Sequence, residues 1–147
     1  MQRREYSPTE RTFQEQSSFI REYFPGGPDD IQRIIESALD GFEVLESRDK
    51  RGNLEGLATY TIGSEKDGQK YCAFGVIVVD EEFRGEGLSD ELFKKLVETA
   101  RKADCDHISA KAETSFGKSF LERVGFKETN DSANHQDYYR FELYTKD

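Results

Sequence analysis

Positive charge is in short supply in this sequence, and so are cysteine, proline and long apolar runs. Against 30 aspartates and glutamates stand 21 lysines and arginines, a formal charge of −9 over 147 residues. A surface of that sign repels phosphate backbones, so no direct nucleic-acid partner is expected. The same field draws cationic ligands inward. The two cysteines, Cys72 and Cys105, form no Cys-x-x-Cys pair, and no histidine completes a metal site beside them. Two reduced, buried thiols and no metal are the expectation. The first ten residues, MQRREYSPTE, hold no apolar stretch, and no apolar run approaches the ~18 residues needed to span a bilayer. A cytoplasmic protein without a membrane partner follows as the expectation. There is no internal repeat and no low-complexity tract. The length fits one domain, residues 1–147, large enough to hide ~70% of its extended-chain surface.

What is present is an orderly alternation of helix and strand signals. Met1 to Tyr6 reads as a short first strand. Ser7-Pro8-Thr9-Glu10 is a helix start, with Ser7 as cap, Pro8 at the first helical position and Glu10 three residues after the cap. That helix stops near Phe24, before Pro25-Gly26-Gly27-Pro28. A second begins at Asp29 and Asp30, carries Ile31, Ile34, Ile35, Ala38 and Leu39 on one face, and ends at Gly41. Strands then follow at Phe42–Glu46 and Leu57–Ile62. Asp67-Gly68 marks a hairpin. Tyr71 to Val79 is apolar on both faces, as a central strand is. The spacing of Leu88, Leu92, Phe93, Leu96, Val97 and Ala100 predicts a helix from Leu88 to Lys102. After it come a strand at His107–Ala112, a helix capped by Thr114 or Ser115 that ends at Gly125, and strands at Phe126–Thr129 and Tyr138–Tyr144. Tyr139, Phe141 and Leu143 share a face of the last one.

The segment between the central strand and its helix, Val79-Asp80-Glu81-Glu82-Phe83-Arg84-Gly85-Glu86-Gly87-Leu88-Ser89, is the most informative. A helix start exposes unpaired N–H groups and a positive dipole end. Glycines ahead of it let the backbone approach an anion closely. Arg84 adds fork-like donors. Together these make a phosphate site built mainly from main chain. Glycine needed for turn geometry alone is the other reading. Without Gly-Lys-Ser/Thr it is no P-loop, and without a third glycine it is no dinucleotide fingerprint.

Arg84-Gly85-Glu86-Gly87-Leu88-Ser89 resembles the Arg/Gln-x-x-Gly-x-Gly/Ala signature of the GNAT N-acetyltransferases, and the acidic and aromatic lead-in from Val79 resembles theirs. Phe120-Leu121-Glu122-Arg123-Val124-Gly125-Phe126 is similar to the family's second signature. The resemblance covers nearly the whole chain. It implies an α/β fold, a single-domain GNAT-like mixed β-sheet flanked by helices on both faces, with acetyl-CoA or another acyl-CoA as cofactor. By the family pattern, Ile77, Val78 and Val79 offer main-chain groups to the pantetheine arm. Arg84, Gly85, Glu86, Gly87, Leu88 and Ser89 surround the pyrophosphate, Ser89 standing where glycine or alanine is usual. Thr114 corresponds to a helix-capping asparagine.

The catalytic residues stay unassigned. Leu121 stands where many relatives carry a proton-donating tyrosine, and Ser109 where some carry a glutamate. Glu113, Tyr138 and His135 are substitutes within sequence reach of the site, each with a plain surface reading. His107 opens a strand and reads as structural. Glu43 and Glu46 would steer a cationic substrate or simply face water. Two functions remain: an N-acetyltransferase acting by direct attack of a primary amine, small molecule or protein, on the thioester, or a non-catalytic acyl-CoA-binding sensor on the same fold. Relatives are often dimers, so a homodimer belongs among the expectations.

Overall fold

Apolar period decides which segments become helix and which become strand, and the elements fall close to the expected places. The computed structural model describes residues 8–24, 28–39, 42–83, 85, 87–111, 115–129 and 138–143. Its elements are α1 (Pro8–Tyr23), α2 (Pro28–Leu39), β1 (Glu43–Arg48), β2 (Leu54–Ser64), β3 (Lys70–Val79), a 3₁₀ turn at Glu81–Phe83, α3 (Leu88–Lys102), β4 (His107–Lys111), α4 (Ser115–Val124), β5 (Lys127–Glu128) and β6 (Tyr138–Glu142). The proposed first strand at Met1–Tyr6 and the cap residues Ser7 and Thr114 lie outside the described residues.

The six strands form one mixed sheet in the order β1-β2-β3-β4-β6-β5. Only β3 and β4 run parallel; the other pairs are antiparallel. The α3 crossover makes the parallel pair possible. β3 is central, as its apolar faces require. β5 is short: Lys127 and Glu128 pair with Arg140 and Tyr139 at the sheet's edge, and the Thr129 N–H still donates to the Tyr138 carbonyl at 2.9 Å.

Strand alternation sends residues to two cores. On one face, Phe19 and Ile20 of α1 and Ile35 of α2 pack on Leu57 and Val78. On the other, Phe93, Leu96 and Ala100 of α3 and Leu121 of α4 pack on Cys72, Phe74, Ile108, Ala110 and Tyr139. Helices therefore cover both faces. Leu92 and Leu96 are fully buried, each contributing about 1.5–3 kcal/mol on leaving water. A knot of rings, Phe74, Phe93, Phe120, Phe126 and Phe141, ties α3 and α4 to the sheet, with centroids 5.3 Å apart for Phe93–Phe141 and 5.6 Å for Phe93–Phe126. Cys72 and Cys105 are free and buried. Burial drives the Cys72 thiol up to about 12, so it packs as a small apolar group.

Candidate functional site

Two neighbouring strands of the sheet part company at its centre. β3 pairs with β4 from Tyr71↔His107 to Phe74↔Ala110 and no farther, while on its other side it pairs with β2 up to Val79. Among the described residues the upper half of β3 therefore has an edge without a strand beside it, and a fork opens between β3 and β4 above the ring knot.

A β-bulge gives the physical cause. The β2–β3 register passes from Ala58↔Ile77 to Tyr60↔Phe74, so Thr59 alone faces both Gly75 and Val76. A bulge bends its strand and raises the local twist, and here it bends β3 where β4 is left behind. The buried Thr59 hydroxyl fills the gap in the ladder, accepting the Val76 N–H at 3.0 Å. Only glycine fits beside it: a Cβ at Gly75 would stand 2.2 Å from Thr59 Oγ1.

The bulge also sets which main-chain groups face the fork. The N–H groups of Val76 and Asp80 both turn to β2, the latter donating to the Glu55 carbonyl at 2.9 Å. Bonded and non-bonded positions alternate along an antiparallel ladder. Val78 thus also turns its main chain to β2, and Ile77 and Val79 turn theirs to the fork.

The glycine turn stands at the top of β3. Gly85 has φ +86° and Gly87 φ +81°, both in the left-handed region that L side chains avoid. Gly87 is the residue ahead of α3, and no side chain caps it. Among the described residues no side chain accepts the first-turn N–H groups of α3, which suits them to an outside acceptor. A Cβ added at either glycine would meet nothing within 4 Å, so the backbone borders open space. Leu88 is buried and anchors the turn; Ser89 is half-buried. Asp90, in the same turn, would oppose an anion, but Arg123 of α4 holds it with contacts of 2.9 and 3.0 Å. An uncapped helix start, two glycines over open space and a strand edge leading away suit an extended ligand with a phosphate at one end. Arg84, Glu86 and Thr114 lie outside the described residues.

The expected acid–base candidates fare unevenly. Leu121 is buried in the core under α4, and Ser109 pairs with Ala73 and Arg140 below the point where the strands part. Neither presents a proton to the fork. Tyr138 pairs with Lys111 at the upper end of β4, beside the fork. His107 sits at the sheet's other end, stacked on Tyr71; burial, then the nearby Arg140, lower its pKa. It is structural, as expected. Glu113 and His135 lie outside the described residues. Glu43 accepts the Tyr60 hydroxyl at 2.8 Å, and burial followed by that carboxylate raises the phenol to about 12. Glu46 is held by Gln16 and Arg48; burial works against its charge, but their hydrogen bonds keep its carboxyl below the usual range. Both carboxylates are thus already engaged.

Thr59, Gly75 and Tyr23 escaped the sequence reading. A glycine inside an apolar strand run is the signal for a bulge, and Gly75 carries it. Tyr23 closes α1 beside Asp80, its phenol raised to about 12 by burial and by the carboxylates of Asp80 and Glu22. A depression of about 560 Å³ lined by Ser64, Glu65, Lys66, Asp67 and Tyr71 lies at the β2–β3 hairpin, away from the fork and open to solvent. Among the described residues no cluster suits a metal ion, and no helix is long and apolar enough to cross a membrane.

Solved structures share this architecture. The GNAT N-acetyltransferase YhbS of Escherichia coli, solved with CoA, superposes with a TM-score of 0.72 at 15% identity over 95% of this chain and 79% of its own. A GNAT acetyltransferase of Staphylococcus aureus gives 0.68 at 18% identity, covering 95% and 97%. The ribosomal-protein-alanine N-acetyltransferase of Brucella melitensis biovar Abortus gives 0.66 at 21% identity, covering 84% and 91%. Among curated proteins, none matches this chain in sequence. The family described as "Acetyltransferase (GNAT) domain" matches residues 52–146, a span that holds β3, the fork, the glycine turn and α4. The chain belongs to the GNAT acetyltransferase family.

Proposed function

We propose that this protein is an N-acetyltransferase that brings an acyl-CoA and a primary amine together, the amine attacking the thioester directly in a ternary complex. The observation that carries the reading is the fork: a stretch of β3 without a second strand partner among the described residues, leading from the bulge at Gly75 to the helix start behind Gly85 and Gly87. The family's donor is acetyl-CoA, and when bound it supplies the activated acyl group.

The chain's own contribution is positional. Ile77 and Val79 present N–H and C=O groups for a pantetheine amide chain, as an added strand does. Val78 supports them from the core between α1 and α2. The N–H groups of Gly85, Gly87, Leu88 and Ser89 meet the pyrophosphate, where the helix dipole adds attraction. By the sequence pattern, Arg84 adds a positive charge and Glu86 a negative one to the phosphate loop, and Thr114 stands where the family has its capping asparagine. The domain acts as one unit over residues 1–147. Holding amine and thioester in one cleft replaces an encounter by an oriented contact.

The second reading is an acyl-CoA-binding module without turnover. Leu121 favours it, because a buried leucine at the position where many relatives carry the tyrosine supplies no proton to the leaving thiolate. Calorimetry with acetyl-CoA and CoA, followed by a free-thiol assay against spermidine, lysine and a basic peptide, separates the two. Amine-dependent thiol release is the expected result. Binding without release by any amine favours the module, and absence of binding refutes both.

A further inference from the structure

The acceptor side of the fork carries its own chemical information. The glycine turn and α3 lie on one face of the sheet, so a cofactor seated there fills the fork from that side. The amine then approaches from the face that bears α1 and α2. On that face the two arms of the fork differ in character. Ile108 and Ala110 of β4 and Tyr139 of β6 point into the core under α3 and α4. Alternation therefore sends Ser109, Lys111, Tyr138 and Arg140 to the acceptor face. The β3 arm presents Val76 there, packed with the α1–α2 core, and behind it on β2 the Thr59 hydroxyl already accepts the Val76 N–H.

Among the described residues the charges around the fork on this face are nearly all committed. Glu46 is bound by Gln16 and Arg48. Asp80 accepts the Glu82 N–H at 3.0 Å in the 3₁₀ turn and lies against Tyr23. Arg140 stands 2.6 Å from Glu142 through Nε, an ion pair without hydrogen-bond alignment. Lys111 differs. It is exposed at the end of β4, where β3 has already diverged, and its Nζ stands 6.0 Å over the Tyr138 ring. No carboxylate among the described residues makes an ion pair with it. Among the described residues the core beneath α1 and α2 includes none from β4 or β6, so this arm stands outside that described layer.

Resting on the reading of the fork as an acyl-transfer cleft, we infer that Lys111, steadied by the Tyr138 ring, selects acceptor amines that also carry an anionic group, a carboxylate or a phosphate ester. The net charge of the chain points toward cationic acceptors, but that field is spread over the whole surface and screened within about 10 Å in ordinary salt. The ammonium group at the cleft acts at contact distance and outweighs it. A polyamine would bring like charge against Lys111, whereas the anionic group of an amino acid or aminoalkyl phosphate would pair with it.

The test uses the full chain and matched acceptors. Glycine, β-alanine, γ-aminobutyrate and lysine are each compared with their amides, phosphoethanolamine with ethanolamine, and spermidine stands as the cationic competitor. The readout is kcat/KM from thiol release, with acetyl-CoA affinity followed by calorimetry. At least one anionic acceptor exceeds its neutral partner about tenfold, and the best pair tells carboxylate from phosphate. Lys111→Gln brings that ratio near one through acceptor KM, Lys111→Glu inverts it, and acetyl-CoA affinity stays unchanged in both. Preference for spermidine or for the amides, or a ratio indifferent to Lys111→Glu, overturns the inference and leaves the transferase standing. If acetyl-CoA binds but no amine turns over, N-acetylglycine and N-acetylglycinamide are titrated into the CoA-loaded protein; equal binding, or none, overturns the inference. Failure to bind acetyl-CoA overturns the reading of the fork and the inference with it.

Discussion

Replacing Gly75 by alanine puts the origin of the fork to the test. The new Cβ would stand 2.2 Å from Thr59 Oγ1 and 3.3 Å from both Thr59 O and Phe42 Cε2. The first contact cannot persist, so the hydroxyl must leave its place and release the Val76 N–H that it now accepts at 3.0 Å. Overpacking costs about 1–3 kcal/mol, and the orphaned amide costs about 1–3 kcal/mol more. Their sum, about 2–6 kcal/mol, is a large share of the ~5–15 kcal/mol that holds a domain together. Thr59→Ala orphans the same amide without overpacking and is expected to cost about 1–3 kcal/mol. The double variant also lacks the clash, so it should be more stable than Gly75→Ala alone. Urea unfolding with matched m-values measures all three. A double variant as unstable as the sum of the singles would refute the close packing of Gly75 on the Thr59 hydroxyl.

Two further predictions follow from groups described above. Gly87→Glu, at φ +81° and beside open space, should abolish acetyl-CoA binding by placing bulk and negative charge where N–H groups face the ligand; calorimetry showing normal affinity would remove the phosphate role of this turn. His107 is held neutral by burial, its pKa below the usual histidine value, so the unfolded chain binds its proton more readily. Stability is therefore full above the unfolded pKa of about 6.5 and is lost as pH falls below it toward the folded value. Thermal melts from pH 7.5 to 5.5 should show the midpoint falling, and His107→Gln should flatten that slope; an unchanged slope would assign the pH dependence to other groups.

The sequence was most legible where one element's own pattern settles its structure. The interval from Leu88 to Lys102 could be read to the residue because five buried side chains repeat at helical spacing behind a glycine. β3 could be read as central because both its faces are apolar. The fork was not legible, because periodicity reports which way side chains point and not how far a neighbouring strand runs alongside. Gly75 was absorbed into an apolar run, and only its packing against Thr59 marks it as a bulge. The glycine turn was recognised from its residues, and Gly85 and Gly87 adopt the positive φ that it requires. Proton transfer was not readable, and the reason is physical: Leu121 is core and Ser109 lies below the fork, so neither of the two family positions offers a proton there.

The four-rung seam between β3 and β4 joins two three-stranded half-sheets, one made of β1, β2 and β3 and the other of β4, β6 and β5. Along the rest of β3 that edge has no strand partner among the described residues, so on the proposed reading the ligand serves as the missing length of sheet. Such a protein would be thermodynamically unfinished when empty. Its unfolding free energy would rise with the logarithm of free cofactor once the concentration passes the dissociation constant, and the amides of Ile77 and Val79 would exchange with solvent at rates set by ligand occupancy. The amount of folded protein in a cell would then register the supply of acyl donor before any acceptor is modified.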